Sequence, residues 1–380
     1  MTPATLVSFG ALAAWIYLLA CRGMFWHMRE RDDGEVIYSG AGWPSVVAIV
    51  PARDEAATIA RVLGSLMAQD YPGNFRIVLV DDQSSDETAE RARALDANGR
   101  LEVLRGAEPP SDWTGKLWAL KQGVVQAAKA APDYFWFTDA DIAHAPDNLR
   151  QLVARAQQSG LVMVSLMAKL RCESFAERLL IPAYVFFFAM LYPFSWVNRA
   201  GNSTAAAAGG CILLRRDALE RAGGIDAIRG EIIDDCALAR RMKRQGPIWL
   251  GLSARALSLR PYPRLRDIGQ MVARSAYAQL GYSPLLLLGT LAGMIAIYAA
   301  PPFIAVLGTG PARLAAGASW LFMAAAFQPM LRFYRRSPVW GLTLPLIGIL
   351  YTAFTIDSAI QYWRGRGGMW KGRFQTMKRA

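Results

Sequence analysis

The sequence predicts an α/β domain built on a mostly parallel sheet and carried by membrane-spanning helices. Three observations point there: short β-rich runs alternate with stretches of helical periodicity, three of those runs empty into charged turns, and long charge-free segments flank the whole. With 380 residues there is room for one large domain or two ordinary ones. A hydrophobic content of 53% against 19% charged residues is high for a purely soluble enzyme. The formal net charge of +12 would suit nucleic acid or anionic lipid. Lys and Arg cluster beside the apolar runs, and the region between those runs lacks a basic face interleaved with aromatics, which favours a membrane and argues against nucleic acid. Cys21, Cys172, Cys211 and Cys236 are far apart with no Cys-X-X-Cys spacing, so neither a zinc site nor a disulfide framework is expected, and a reducing cytoplasm fits.

Thr2 to Cys21 carries no charge and is long enough to span a bilayer core. No Lys or Arg precedes it and Arg22 follows it, the reverse of a cleavable signal peptide. A retained anchor over 1–22, with the next domain on the cytoplasmic side, is expected. From Ser45 the texture changes. Val46 to Val50 reads as a buried parallel strand, Pro51-Ala52-Arg53-Asp54-Glu55 as a polar turn, and Ala56 to Gln69 as a helix. Arg76 to Val80 repeats the pattern and opens into Asp81-Asp82-Gln83-Ser84-Ser85-Asp86. Leu101 to Leu104 supplies a third strand, and Tyr134 to Thr138 a fourth that runs into Asp139-Ala140-Asp141. Strands alternating with helices imply right-handed crossovers, so these turns fall on one edge, where an open α/β sheet places its ligand.

Two carboxylates one residue apart at a strand end are hard oxygen ligands that suit Mg²⁺ or Mn²⁺, an ion usually shared with a substrate's phosphates. Asp139 and Asp141 are therefore candidate metal ligands at a nucleotide-diphosphate site, a solvated acidic turn being the plainer alternative. His144, three residues on, is the kind of lone histidine that is usually solvated or hydrogen-bonded and no ligand. In Asp112-Trp113-Thr114-Gly115-Lys116 the glycine permits close backbone approach and Lys116, at a helix start, can meet a phosphate; ordinary loop residues before a helix look the same. Ala207 to Ile212 is a small-residue loop entering a strand, where a substrate can approach the backbone. Glu231-Ile232-Ile233-Asp234-Asp235 puts two acids at a helix start, a pattern that also suits the helix dipole alone.

Taken in order, Val-Pro-Ala-Arg-Asp-Glu (50–55), Asp-Asp-Gln-Ser-Ser-Asp-Glu-Thr (81–88), Asp-Ala-Asp (139–141) and Asp234-Asp235-Cys236-Ala237-Leu238 resemble the signatures of family 2 glycosyltransferases with the GT-A fold. The resemblance covers about Ser45 to Tyr282. With the flanking apolar segments it is most similar to the membrane-bound transferases found with hopanoid biosynthesis and, more distantly, to ceramide glucosyltransferases. It implies a Rossmann-like, nucleotide-diphospho-sugar transferase fold over 45–282, with Pro51, Arg53, Glu55 and Asp82 around the nucleotide, Lys116 and Asp139 beside the donor, and Asp235 as the catalytic base. It also implies an arginine on the diphosphate within Gln-X-X-Arg-Trp. Here only Gln270-Met271-Val272-Ala273-Arg274-Ser275 is present, one residue longer and without the tryptophan. Arg274 is the candidate for that contact or else a juxtamembrane positive charge, and the missing tryptophan argues against processive polymer synthesis.

Leu179 to Val197 is another charge-free stretch. Crossing the bilayer once there would put Asp141 and Asp235 on opposite sides, so 179–197 is expected to be a helix buried in the domain or lying at the interface. Three closing segments, Pro284 to Leu307, Leu314 to Leu331 and Val339 to Tyr362, make up membrane helices over 284–362, followed by a basic tail over 363–380. Arg332, Arg335 and Arg336 and the tail are both positive yet separated by one segment, so either one segment is re-entrant or the positive-inside rule fails once, and Asp357 and Gln361 point to the last segment as the irregular one.

The expected function is sugar transfer, with inversion, from a UDP-sugar or related nucleotide-sugar to a hydroxyl of a membrane lipid such as a hopanoid, with Mg²⁺ or Mn²⁺ as cofactor, in the inner membrane with the catalytic domain facing the cytoplasm. Two alternatives stand beside it: loading of a polyprenyl phosphate, and a membrane protein that binds nucleotide without catalysis.

Overall fold

Val46–Ala52 (β1) is buried along its whole length, as a run of Val, Ala and Ile inside a two-sided sheet should be. It lies between two parallel neighbours, Phe75–Asp81 (β2) and Tyr134–Thr138 (β4), and Leu101–Arg105 (β3) pairs parallel with β2 on the far side. The register sets Ala52 level with Asp81, and Asp81 level with Arg105. The polar turns after these strands therefore share one rim. Between the strands, α2 (Ile59–Met67) buries Ile59, Val62, Leu63 and Leu66 at helical spacing, and α3 (Thr88–Arg93) buries Thr88, Ala89 and Ala92. Each large aliphatic side chain so buried contributes about 1.5–3 kcal/mol of apolar transfer free energy.

The computed structural model describes residues 2–38, 40–95 and 99–368. They fall into two compact units, one of residues 30–171 and 196–260 and the other of 2–29, 172–195 and 261–368. The first unit holds an eight-stranded sheet in the order β3-β2-β1-β4-β7-β6-β8-β5, completed by Ile142–His144 (β5), Met163–Lys169 (β6), Cys211–Arg215 (β7) and Ile248–Ser258 (β8). β7 runs antiparallel to both β4 and β6, β6 is parallel to β8, and β5 closes the edge antiparallel to β8. The sheet is thus mixed: β3-β2-β1-β4 is parallel throughout, and beyond β4 the β6–β8 pair alone is parallel. The reversal matters for the site: because β7 runs against β4, with Cys211 opposite Thr138, the small-residue lead-in to β7 arrives on the rim where β4 ends.

Four helices complete this unit. Gly115–Ala128 (α4) is capped by Thr114, whose hydroxyl accepts the Leu117 N–H at 3.4 Å. Asn148–Gln158 (α5) and Arg216–Arg221 (α8) cover strands, and Asp234–Lys243 (α9) opens on its two acids.

In the other unit, Pro3–Cys21 (α1) and three C-terminal segments are long and apolar enough to cross a membrane: Pro284–Leu307, Gly310–Phe333 (α14) and Pro338–Trp363. The first consists of α12 (Pro284–Met294), one π-helical turn over Ile295–Ala299 and α13 (Ala300–Leu307); the last is a 3₁₀ lead-in followed by α15 (Leu344–Trp363). The irregular turn lies in 284–307, while α15 is unbroken and its Gln361 bonds back to Asp357 at 2.6 Å. The π turn has a use, since the Ile297 carbonyl accepts the Trp15 indole N–H at 3.2 Å.

Phe175–Leu191 (α6), the core of the charge-free 179–197 stretch, groups with these apolar helices and not with the sheet. Its first turn is closed by a capping box of Ser174 and Glu177, and its last carbonyls accept the Arg22 guanidinium at 3.1 and 3.0 Å. Phe186 packs between Phe25 and Phe327, and the Tyr351 hydroxyl donates to the Leu180 carbonyl. Residues 172–195 and 261–282, within the 45–282 span expected for the catalytic domain and including α10 (Leu265–Ala273) and α11 (Ala276–Gln279), group with this unit. A single turn, Phe194–Val197 (α7), follows α6. The described residues end at Gly368, so most of the basic tail over 363–380 lies outside them.

Candidate active site

On the rim of the sheet, Pro51, Lys116, Thr138, Asp139, Gly209, Asp234, Asp235 and Leu238 line one cleft. Each arrives by a different route. Pro51 is the next-to-last residue of β1, Asp139 follows β4, Lys116 sits in the first turn of α4, Gly209 precedes β7 and the acid pair opens α9. A lysine at a helix N-terminus opposes the dipole, so it needs acids close by. Lys116 Nζ lies 2.8 Å from Asp139 Oδ1 and 3.6 Å from Asp234 Oδ2. Burial works against its charge, but Asp139 and Asp234 outweigh burial and hold the ammonium above the usual lysine range. Asp139 is itself raised, chiefly by burial, with Asp141 and Asp234 adding and Lys116 opposing.

Asp235 is fixed by backbone donors: the Gly209 N–H reaches Oδ2 at 3.0 Å and its own neighbour Cys236 reaches Oδ1 at 2.7 Å. Burial, then the Asp234 charge, push its carboxyl up to about 6, while Lys116 and the two N–H groups pull the other way. A carboxylate of that basicity ionises near neutrality and is a better proton acceptor than a surface aspartate. Gly209 has a steric role too. A Cβ there would stand 3.3 Å from Lys116 Nζ and 3.6 Å from Asp235 Oδ2, inside the cleft.

A second cluster holds the turns after β1 and β2 together. Asp54 and Gln83 both take left-handed backbone conformations, which Asp tolerates through its short polar side chain. Asp54 Oδ1 accepts the Ser85 N–H at 2.7 Å, Glu55 donates its N–H to the Thr88 hydroxyl at 2.8 Å, and Ala56 donates to Asp86 at 3.0 Å. Asp82 has no exposed surface; the Arg53 guanidinium faces its carboxylate at 3.7 Å and donates to its carbonyl at 2.5 Å. On the same rim, a wider hollow is lined by Asp81, Gln83, Ser84, Asp86, Arg93 and Arg105. Asp81 Oδ1, buried there, has no hydrogen-bond partner among the described residues.

Asp141 and Glu55 meet through an arginine absent from the set of candidates read from the sequence. Arg260, just past β8, puts Nε 2.5 Å from Asp141 Oδ2 and Nη2 2.6 Å from Glu55 Oε1. The local signal is its position just after an apolar run over 248–258; the rim that this strand end joins is set by pairing with β6 and β5. Arg274, by contrast, is exposed at the C-terminal end of α10 in the other unit, where its N–H bonds the Gln270 carbonyl. His144 is a core residue: Asn148 Nδ2 lies 2.9 Å from its Nδ1, and its Nε2 lies 2.8 Å from the Thr138 hydroxyl. Burial drops the imidazole to about 3, so it stays neutral.

Among the described residues, no three His, Cys, Asp or Glu side chains are grouped to hold a metal ion. The donor set at β4 is two carboxylates, Asp139 and Asp141, each already paired with a cation. Two hard oxygens without a protein cage fit an ion such as Mg²⁺ or Mn²⁺ that completes its shell with phosphate and water.

A family model described as Glycosyltransferase like family 2 matches residues 44–250, more than half of the chain. A 4,4'-diaponeurosporenoate glycosyltransferase from Staphylococcus haemolyticus is 29% identical over 152 residues, covering 39% of this chain and 37% of that protein. An N-acetylglucosaminyltransferase from Mesorhizobium japonicum is 30% identical over 149 residues, 38% of this chain and 34% of that protein. The chain thus matches about a third of the length of these curated relatives. Among solved structures, a mannosyltransferase from Pyrobaculum calidifontis in complex with GDP-Man and Mn²⁺ is similar at a TM-score of 0.57 and 19% identity, over 96% of this chain and 99% of that one, which shows a shared fold. The chain belongs to glycosyltransferase-like family 2.

Proposed function

We propose that this protein transfers a sugar, with inversion, from a nucleotide-sugar, a UDP-sugar in the first instance, to a hydroxyl of a membrane lipid, a hopanoid-type alcohol among the candidates. The observation that carries the proposal is the meeting of Lys116, Asp139 and a basic Asp235 in one cleft at the C-terminal rim of the sheet. Asp235 takes the proton of the acceptor hydroxyl as that oxygen bonds to the anomeric carbon. The bond from that carbon to the diphosphate oxygen breaks on the opposite face, and a single base opposite the leaving group inverts the centre. Lys116 faces the leaving diphosphate and offsets its growing charge. Arg53, Asp82 and the 51–55 turn shape the nucleotide end, with the Asp81 and Arg105 hollow available to the base. Mg²⁺ or Mn²⁺, held by Asp139 and Asp141, supplies further charge stabilisation to the leaving group when bound.

The four apolar segments support a multi-pass membrane protein. We place it in the inner membrane with the sheet unit facing the cytoplasm, where nucleotide-sugars and the positive flanks fit. A second reading, an anionic acceptor such as a polyprenyl phosphate, draws support from the relative whose name gives an acid, 4,4'-diaponeurosporenoate, as its substrate. The two readings separate on chemistry, because a phosphate or carboxylate arrives deprotonated and needs no base.

Membranes carrying the protein, incubated with a panel of labelled nucleotide-sugars and extracted for lipid, test the proposal. Label in a neutral lipid fraction, lost on Asp235→Asn, is expected. Label that survives Asp235→Asn in an acidic lipid selects the second reading, and no labelled lipid with any donor refutes both.

A further inference from the structure

Each acid of the Asp139-Ala140-Asp141 turn has its own resident cation. Lys116 sits on Asp139, and Arg260 sits on Asp141 while also reaching Glu55. Arg260 is set there by the sheet. Leu259 prolongs the pairing of β8 beyond Ser258 by donating its N–H to the Asp141 carbonyl at 2.8 Å, so the next side chain falls on the rim. The two carboxylates it joins are largely withdrawn from water, with side-chain exposures of 14% and 10%, whereas Arg260 retains 33%. Glu55 is further held through its other oxygen, which accepts the Thr58 hydroxyl at 3.1 Å. The guanidinium fork is what permits one residue to serve two acids from two turns.

These contacts create a conflict. Asp141 Oδ2 is occupied by Arg260, yet Asp141 is one of the two carboxylates that would share an ion with the donor. We infer that Arg260 is an exchangeable counterion and diphosphate-binding residue: it neutralises Asp141 and Glu55 before the donor arrives, and turns to the donor's phosphates once a divalent cation takes over the Asp141 carboxylate. Its exposure leaves it room to turn, and its short path from Asp141 keeps it beside the phosphates that the same ion would hold. In this arrangement Arg260 supplies the diphosphate contact for which Arg274 was the sequence candidate. The inference rests on the glycosyl-transfer reading.

The two roles predict effects of opposite sign, which a simple strut would not produce. Binding of Mn²⁺ alone, followed by electron paramagnetic resonance on the purified full-length protein, should be about tenfold tighter in Arg260→Gln, because a competing cation is gone. Binding of UDP with Mn²⁺, or of GDP where UDP does not bind, followed by calorimetry, should be about tenfold weaker in the same variant. Arg260→Lys keeps the charge but not the fork, and should move both quantities the same way by smaller factors; it also serves if Arg260→Gln does not fold. Unchanged or weaker Mn²⁺ binding in both variants overturns the inference, as does unchanged nucleotide binding, or a nucleotide loss found in Arg274→Gln and not at Arg260. A wild-type protein that binds no nucleotide at all refutes the transferase reading itself and this inference with it.

Discussion

Asp81-Asp82 and Asp234-Asp235 are the same dipeptide, and the fold puts them to different uses. The first ends a strand. Asp82 is sealed from solvent, faced by Arg53, and lies in a pair of turns stitched together by four residues of each loop. The second opens a helix, partly exposed in a cleft, with backbone N–H groups on Asp235 and a lysine shared between Asp234 and Asp139. A carboxylate sealed between two interlocked turns fixes shape. One that shares its counterion with neighbours has an adjustable basicity, and that is the property proton transfer needs.

The widest separation between the two pairs should appear in kinetics. Asp235→Asn is expected to lower the transfer rate to a hydroxyl acceptor by about 10²–10⁴-fold, whereas Asp82→Asn should raise the donor KM about tenfold and leave kcat within about threefold. Steady-state assays on both variants check this, and equal losses in kcat would erase the distinction. Next in size is Lys116→Ala, which leaves Asp139, Asp234 and Asp235 crowded without their cation. Donor affinity should fall about 10–100-fold. Because Lys116 lowers the Asp235 carboxyl, its removal should also move the acid limb of the pH–rate profile upward. A limb that stays put in Lys116→Ala would mean that the ammonium does not reach the base. Smallest is Gly209→Ala, whose methyl meets the lysine tip at 3.3 Å. A loss of about two- to fivefold in kcat/KM is expected, since a flexible side chain can give by a few tenths of an ångström.

How much of this was visible in the linear sequence differs between the two halves of the sheet. β1, β2, β3 and β4 are local events: an apolar run, a charged turn, then a helix, repeated, so the strands and the turns carrying Arg53, Asp82 and Asp139 were legible from periodicity. So were the apolar helices, which need only length and lack of charge. The other half depends on long-range pairing. β8 joins β6 in parallel and β5 in antiparallel, partners about 85 and 115 residues away, and nothing near Arg260 in the chain reports that. Next to Arg264 and Arg266 it looks like one more membrane-flanking charge. Arg274 was proposed from a resemblance at the motif level alone; it is exposed at the end of α10, in the unit of apolar helices. The 179–197 stretch shows the same limit, because lack of charge marks a segment as apolar but not the company it keeps; the Arg22 and Tyr351 bonds that tie α6 to the apolar helices come from far along the chain.

The central claim is that an ionised Asp235 removes the acceptor's proton, and its pH dependence follows from the sign of the shift. Asp235 is raised to about 6, so the active, ionised form is present above that value and is lost as pH falls through it. Single-turnover transfer to a neutral lipid alcohol, measured from pH 5 to 8 in the wild-type protein and in Asp234→Asn, is the direct measurement. The account predicts a rate that drops below about pH 6 in the wild type, and a limb displaced to lower pH in Asp234→Asn, where the neighbouring charge that raises Asp235 is gone. A rate flat across that range, or a limb that Asp234→Asn does not move, would contradict it.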